Sequence, residues 1–302
     1  MNYQGKTAVI TGAASGFGLE SSRIAARRGM NVVMVDVQPD ALEVSAAEIR
    51  GLGAQVLPMK VDVSKADQVD RLAAATMERF GAPSIVFNNA GVGSGGLVWE
   101  NSLKDWEWVL GVNVMGVVHG VRAFTPLMLA AAKQDPAYEG HVINTASMAG
   151  MVNPPNMGVY NVSKHAVTSL SETLYQDLVL ISDQVHAHLL CPFFVPTGIT
   201  TSERNRPADV TDASAKVTKS QLISKAMSDK AVGSGKVTAA MVAQYVFDAI
   251  DENRFYIFSH PKALKGLQTR LEDVMQLRNP TDPFFERPEV GKQLRDALRA
   301  AD

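Results

Sequence analysis

Thr7-Ala8-Val9-Ile10-Thr11 runs directly into Gly12-Ala13-Ala14-Ser15-Gly16-Phe17-Gly18. The first five residues read as a short strand buried on both faces. A helical pattern follows from about Gly16 to Arg28, with Gly29 as its natural stop. Between strand and helix, Gly12 lets the chain turn sharply. Gly16 and Gly18 remove side chains where backbone must approach a ligand or pack closely. A helix starting beside Ser15 and Phe17 offers free N–H groups and a positive dipole end to a pyrophosphate. Glycine-rich turns occur in many folds. The strand before and the helix after make this one a dinucleotide signal.

Working outward, short β-branched runs alternate with longer helical patterns. Residues 31–36 (NVVMVD) form a second strand, and Asp40 is placed to cap a helix reaching about residue 50. A third strand is expected at 55–61, with Ser64 capping a helix to about Phe80. Strands follow at 84–88, 141–145, 185–190 and 254–259. Helices are expected from about 102 to 133 and through Tyr160 to about 181. This alternation predicts an α/β fold: a Rossmann-like, doubly wound parallel sheet of about seven strands with helices on both faces. Residues 1–260 then form one domain that both binds a dinucleotide and performs the chemistry.

Two regions fall outside the rhythm. Residues 198–236 are polar, with scattered apolar positions. They read either as a surface excursion or as a lid over the site; their start point, discussed below, favours the lid. Residues 261–302 look like an appended helical extension with a Pro-interrupted turn at 279–288. It could pad the sheet edge, close a substrate pocket or contact another subunit.

The bulk numbers exclude several classes. The chain has 302 residues, 29 basic against 31 acidic, and a formal charge of -2. That balance gives no general attraction to nucleic acid or to an anionic membrane. The longest apolar run, 114–132, is interrupted by His119, Arg122 and Pro126, so it reads as a buried helix and no membrane span is expected. The single cysteine, Cys191, precludes an intrachain disulfide. With no secretory signal pattern at the start, a cytoplasmic location is the expectation. No metal site is expected.

Asp36 ends the second strand, 24 positions after Gly12. This is near the ~20-residue spacing of an acid that hydrogen-bonds an adenosine ribose. Its charge would repel the extra phosphate of NADP, and neither Ser15 nor Val37 supplies an arginine to bind that phosphate. NAD is the expected cofactor, NADP less so. Tyr160 and Lys164 are four apart and project from one helix face. A neighbouring ammonium and a positive nicotinamide ring would both favour the phenolate over a phenol of pKa ~10, making Tyr160 a usable acid or base. Ser147 lies just past the fifth strand, on the crevice side of a parallel sheet. There its hydroxyl can donate to a substrate oxygen. Asn113 is polar among apolar neighbours in mid-helix and needs a partner.

Taken together these residues resemble the short-chain dehydrogenase/reductase (SDR) family. The matching segments are TGAASGFG from Thr11, Asp36, Asp62-Val63, Asn88-Asn89-Ala90-Gly91, Asn113, Ser147, Tyr160 to Lys164, and Cys191-Pro192 through Thr197. The resemblance spans about residues 5 to 260. It implies that Tyr160 is the general acid/base, and that Lys164 lowers its pKa and holds the nicotinamide ribose. Ser147 would orient the substrate oxygen, and Asn113 would hold a water in a proton relay. It further implies that Asp62 and Val63 contact the adenine and that Asn89, Ala90 and Gly91 line the cofactor groove. Pro192, Val195 and Thr197 would lie near the nicotinamide. The polar excursion begins directly after Thr197, which favours the lid. The family usually has glycine where this chain has Phe193, followed by Phe194, and its core is shorter than this chain at the C-terminus.

The resemblance implies hydride transfer between NAD(H) and a secondary alcohol or ketone, by a homodimer or homotetramer. Trp99, Met148, Met151, Met157, Phe193 and Phe194 suggest an apolar or aromatic substrate, although Met and Phe are also ordinary core residues. Two other readings use the same fold: a non-catalytic NAD-binding regulator, and an epimerase or dehydratase that retains its NAD.

Overall fold

The computed structural model describes residues 1–211 and 215–300. Residues 212–214 of the expected lid and 301–302 of the expected extension lie outside the described residues. The strands are β1 (Thr7–Thr11), β2 (Asn31–Asp36), β3 (Val56–Lys60), β4 (Ile85–Asn88), β5 (Gly140–Thr145), β6 (Val185–Cys191) and β7 (Tyr256–Phe258). They form one parallel sheet in the order β3-β2-β1-β4-β5-β6-β7. The chain builds outward from β1 to β3, then crosses back to place β4 against the other side of β1. Crossovers leave in opposite directions at that junction, so a crevice opens beyond the carboxyl ends of β1 and β4.

Helices α1 (Gly16–Arg27), α2 (Pro39–Gly51), α3 (Ala66–Phe80), α4 (Leu103–Leu110), α5 (Gly116–Gln134) and α6 (Gly158–Ile181) connect the strands. α7 (Lys219–Gly233) and α8 (Ala239–Asp251) precede β7, and α9 (Leu264–Met275) and α10 (Pro288–Arg299) form the extension. On one sheet face Ala8, Ile10, Met34 and Phe87 pack against Ala25 of α1 and against Val246 and Phe247 of α8. On the other, Val9, Val33, Val86 and Val142 meet Leu72 of α3, Phe124 and Met128 of α5, and Leu174 of α6. Strands covered on both sides explain the near-continuous apolar runs. Each buried side chain of this size stabilises by roughly 1.5–3 kcal/mol relative to its exposed state.

Several local expectations shift. α2 starts with Pro39 in its first turn after an extended Gln38, so Asp40 sits inside the first turn and does not cap it. α3 starts after Lys65. Ser64 instead donates both its N–H and its hydroxyl to Asp62 Oδ1, at 3.0 and 2.7 Å. The helix expected from 102 to 133 is correctly begun by Ser102, which forms a reciprocal capping box with Asp105. Its middle is rewound, however. Gly111–Met115 is a π turn with Asn113 at its centre. The run Leu103–Gln134 is long and apolar enough to cross a membrane by length and composition. Here it packs against the sheet through Phe124 and Met128. α8, for which the sequence reading assigns nothing, is capped by Thr238, whose hydroxyl accepts the Met241 N–H.

At the amino edge of the sheet His141 of β5 and His188 of β6 are fully buried, with Nδ1 of His141 2.9 Å from Nε2 of His188. Burial pushes His141 down to about 2, helped by the neighbouring imidazoles, and pushes His188 down to about 4. Both rings are neutral in the native state. An unfolded chain protonates histidine near ~6.5. The stability that depends on these neutral rings is therefore complete above that pH. It declines as pH falls toward 4 and below, because the unfolded chain gains protons that the native state refuses. The urea midpoint should drop between pH 7 and pH 5, and His141→Asn should make that drop shallower. An equal drop in both proteins would show that the pair contributes nothing to acid sensitivity.

Candidate active site

The glycine turn closes as backbone geometry demands. Gly12 and Gly16 occupy the left-handed region, at φ 66° and 54°. Gly18 is fixed by packing: a Cβ there would lie 2.2 Å from the Gly12 carbonyl oxygen. Ser15 sits at the N-cap of α1 without a side-chain capping bond, so the first turn keeps N–H groups directed at the crevice. Asp36 braces the same turn. Its Oδ2 accepts the Ala14 N–H at 3.1 Å and its Oδ1 accepts the Gln38 N–H at 3.0 Å.

Thr11, which the sequence reading treated only as a strand end, joins the turn to the next loop. Its hydroxyl donates to the Phe87 carbonyl at 3.3 Å and accepts the N–H groups of Asn89 and Ala90, both at 2.9 Å. That uses the full capacity of a hydroxyl. The Asn89 side chain also donates to the Thr11 carbonyl at 2.9 Å. The signal was faint because the partners lie 76 to 79 residues away.

Tyr160 and Lys164 project from the first turns of α6. The Lys164 ammonium donates to the Thr145 carbonyl at 2.9 Å and lies 5.6 Å from the centre of the Tyr160 ring. Ser147 follows β5; its hydroxyl donates to the Pro192 carbonyl at 3.3 Å and accepts the Ala149 N–H at 3.1 Å. Burial lowers Lys164 to about 8. Burial raises Tyr160, against the opposing pull of Ser147. The expectation that Lys164 acidifies Tyr160 is therefore not met in the protein alone. Desolvation of the phenolate outweighs the pull of Ser147, and the charge of Lys164 is itself penalised by the same burial.

One cleft of about 330 Å³ gathers most of the expected residues. Gly12, Ser15, Gly16 and Phe17 line one part of its wall, and Asp36, Val37, Asp62 and Val63 another. Asn89, Ala90, Gly91, Ser147, Tyr160, Lys164, Pro192, Val195 and Thr197 complete the set. Gly18 and Asn113 are the two that do not line it. Gly18 packs under Gly12. Asn113 spends its side chain behind the wall: Oδ1 accepts the Val92 N–H at 2.8 Å, and Nδ2 donates to the Val92 carbonyl and to Ser163 Oγ, both at 3.0 Å. It fixes the loop beside Gly91, whose missing Cβ would sit 3.4 Å from Asn113 Oδ1 and 3.6 Å from Lys164 Nζ.

The apolar pocket candidates divide. Phe193 lines the cleft and packs against Phe194, with ring centres 4.3 Å apart and planes tilted by 44°. Met148 and Met151 do not line it. They are core residues, packed with Val167, Leu189 and Leu267 of α9. Trp99 is exposed. Sequence reasoning missed Trp108 of α4; within the expected lid it named no single residue, and Ser202, Arg204, Asn205 and Val210 of that stretch line the cleft. Trp108 is hidden in an ordinary amphipathic pattern, and its role appears only when that stretch folds over it.

The short chain dehydrogenase family model matches residues 6–208. A short-chain dehydrogenase/reductase from Burkholderia phymatum, solved in complex with NAD, is 49% identical, with a TM-score of 0.90 over 94% of this chain and 99% of that one. A CLA biosynthesis dehydrogenase/reductase of Lactiplantibacillus plantarum is 33% identical over 91% of this chain and 94% of its own. The 1-deoxy-11-beta-hydroxypentalenate dehydrogenase of Streptomyces exfoliatus is 35% identical over 91% and 90%. The chain belongs to the short-chain dehydrogenase/reductase family of oxidoreductases, which bind a nicotinamide cofactor on this fold.

The Gly18 contact makes a direct structural test. Gly18→Ala should lower the unfolding free energy by about 1–3 kcal/mol, the usual cost of forcing atoms into filled space. A melting temperature equal to that of the unaltered protein would show that the turn has room to spare.

Proposed function

We propose that this protein transfers hydride between NAD(H) and a secondary alcohol or its ketone, with an apolar or aromatic group on the substrate. The observation that carries the reading is the convergence of Tyr160, Ser147 and Lys164 on the cleft that also holds the glycine turn and Asp36. A bound nicotinamide supplies or accepts the hydride. The protein's part is to hold the carbon–oxygen bond in place and to move one proton. Ser147 donates a hydrogen bond to the substrate oxygen, where negative charge develops. Tyr160 passes a proton to that oxygen in reduction, or takes it in oxidation. Lys164 holds the cofactor ribose and supplies positive charge. With the cofactor in place, the charge of an oxidised nicotinamide adds to that of Lys164, and the two together lower a phenol that burial alone raises. Asn113 acts by fixing the Gly91–Val92 loop and, through Ser163, the helix that carries Tyr160. Phe193 offers an aromatic wall to the substrate, and the name of the Streptomyces relative is consistent with a hydroxyl-bearing substrate.

NAD is preferred over NADP in this proposal because the Asp36 carboxylate stands where a ribose phosphate would be repelled. The same residue braces the Ala14 backbone. Asp36→Ala should raise NADP use relative to NAD by about tenfold or more, equivalent to at least ~1.4 kcal/mol. Unchanged selectivity would mean that another feature reads the ribose.

The test of the reaction is a panel of apolar and aryl secondary alcohols with NAD, following NADH by its near-ultraviolet absorbance. The unaltered protein should turn over at least one of them. Tyr160→Phe should reduce kcat by about 100-fold or more, in the range of a lost general acid/base, while NADH still binds. A Tyr160→Phe protein with a near-normal rate overturns the assignment.

A further inference from the structure

The stretch 198–210 leaves the nicotinamide end of the cleft as turns at Gly198–Asn205 and Ala208–Val210, and it ends against α4. Contacts from Ser202, Val210 and Arg206 hold it there. Ser202 Oγ accepts the Gly93 N–H at 2.8 Å. Val210 is buried in a small apolar cluster with Val92, Trp108 and Val109. Arg206 reaches across to α4, where its guanidinium donates to Asp105 Oδ1 at 2.7 Å, lies 5.0 Å from the centre of the Trp108 ring, and donates through Nε to the Val210 carbonyl at 3.0 Å.

The Arg206–Asp105 pair differs in burial from the other ion pairs of this segment, among them Arg206 with the exposed Glu203 at 3.5 Å. Its side chains are only 12% and 13% exposed. By contrast, the ion pair between Lys65 and Asp209, which spans the adenine end of the cleft, is well exposed at 44% and 62%. Exposed pairs contribute little, whereas breaking a largely buried pair strands a charge. Asp105 is also fixed in place, because its Oδ2 accepts the Ser102 N–H at 2.8 Å as part of the cap of α4. Trp108 lines the cleft, and its buried indole N–H has no partner among the described residues.

We propose that Arg206 and Asp105 form a latch that keeps residues 198–210 closed over the dinucleotide groove, so that the cofactor exchanges only when this pair opens. The inference rests on the NAD-binding reading above. Arg206 and Asp105 act here as positioning residues, one on the moving segment and one on the fixed helix. Opening the latch separates a paired guanidinium and carboxylate and lifts Val210 from its apolar seat.

The experiment is stopped-flow release of NADH, chased with excess NAD and read by NADH fluorescence. If the unaltered protein binds no NADH, the cofactor reading itself fails. If it binds, Arg206→Met, which keeps the apolar stem over Trp108, should release NADH about tenfold faster or more. Asp105→Asn, which keeps an acceptor for the Ser102 cap, should do the same and provides the answer should the first variant not fold. The double variant should be no faster than Arg206→Met alone, since that change already removes the Arg206–Asp105 pair. Arg71→Ala, which breaks an exposed pair on α3 away from the cleft, should stay within about twofold of the unaltered rate. Release from both single variants at the unaltered rate overturns the latch, as does a double variant whose effects simply multiply.

Discussion

A lysine ammonium buried beside the end of a parallel sheet is the constraint on which the site is organised. Lys164 is 3% exposed and, among the described residues, forms no ion pair. Its recorded hydrogen-bond acceptor is the carbonyl of Thr145 at the tip of β5. Burying a cation with so little compensation is costly, and the lowering of Lys164 to about 8 expresses that cost. A packed fold does not keep such an arrangement for stability alone. Its consequence is a polar group held within 5.6 Å of the Tyr160 ring centre, in a cleft built to receive another charged molecule.

The sheet explains how this constraint is met. Parallel pairing of β1, β4 and β5 brings Thr11, Asn89 and Thr145 to the same edge. There Asn89 donates to Thr11 while its side-chain oxygen accepts from Thr145 at 3.5 Å. The π turn at Gly111–Met115 then turns Asn113 onto Val92 and Ser163, which ties the β4 loop to α6. Such turns interrupt helices mostly where function requires it. Two segments distant in sequence are thereby locked to the helix bearing Tyr160 by one carboxamide.

Much of this was readable in the sequence because the signals were local. The sheet follows from β-branched runs, and β1 and β2 begin and end where periodicity places them. The glycine turn and Asp36 follow from spacing. The Tyr160–Lys164 pair follows from one turn of helix. What escaped depends on long-range contact. Thr11 becomes important only when β4 lies beside β1. Met148 and Met151 look like pocket residues until α9 packs over them, a contact that also gives part of the extension its place. The shift of Tyr160 ran opposite to expectation because spacing reveals the neighbouring cation but not the desolvation that both groups share.

Those opposed effects on one phenol provide the sharpest test. The account requires Tyr160 to be a weak acid in the empty cleft and a stronger one when an oxidised nicotinamide lies beside it. Ultraviolet titration of tyrosinate, with and without NAD, reads this directly. The account predicts that NAD brings a single tyrosine's ionisation below the ordinary value of ~10, and that this step is missing from Tyr160→Phe. Superimposable titrations with and without bound NAD would contradict it.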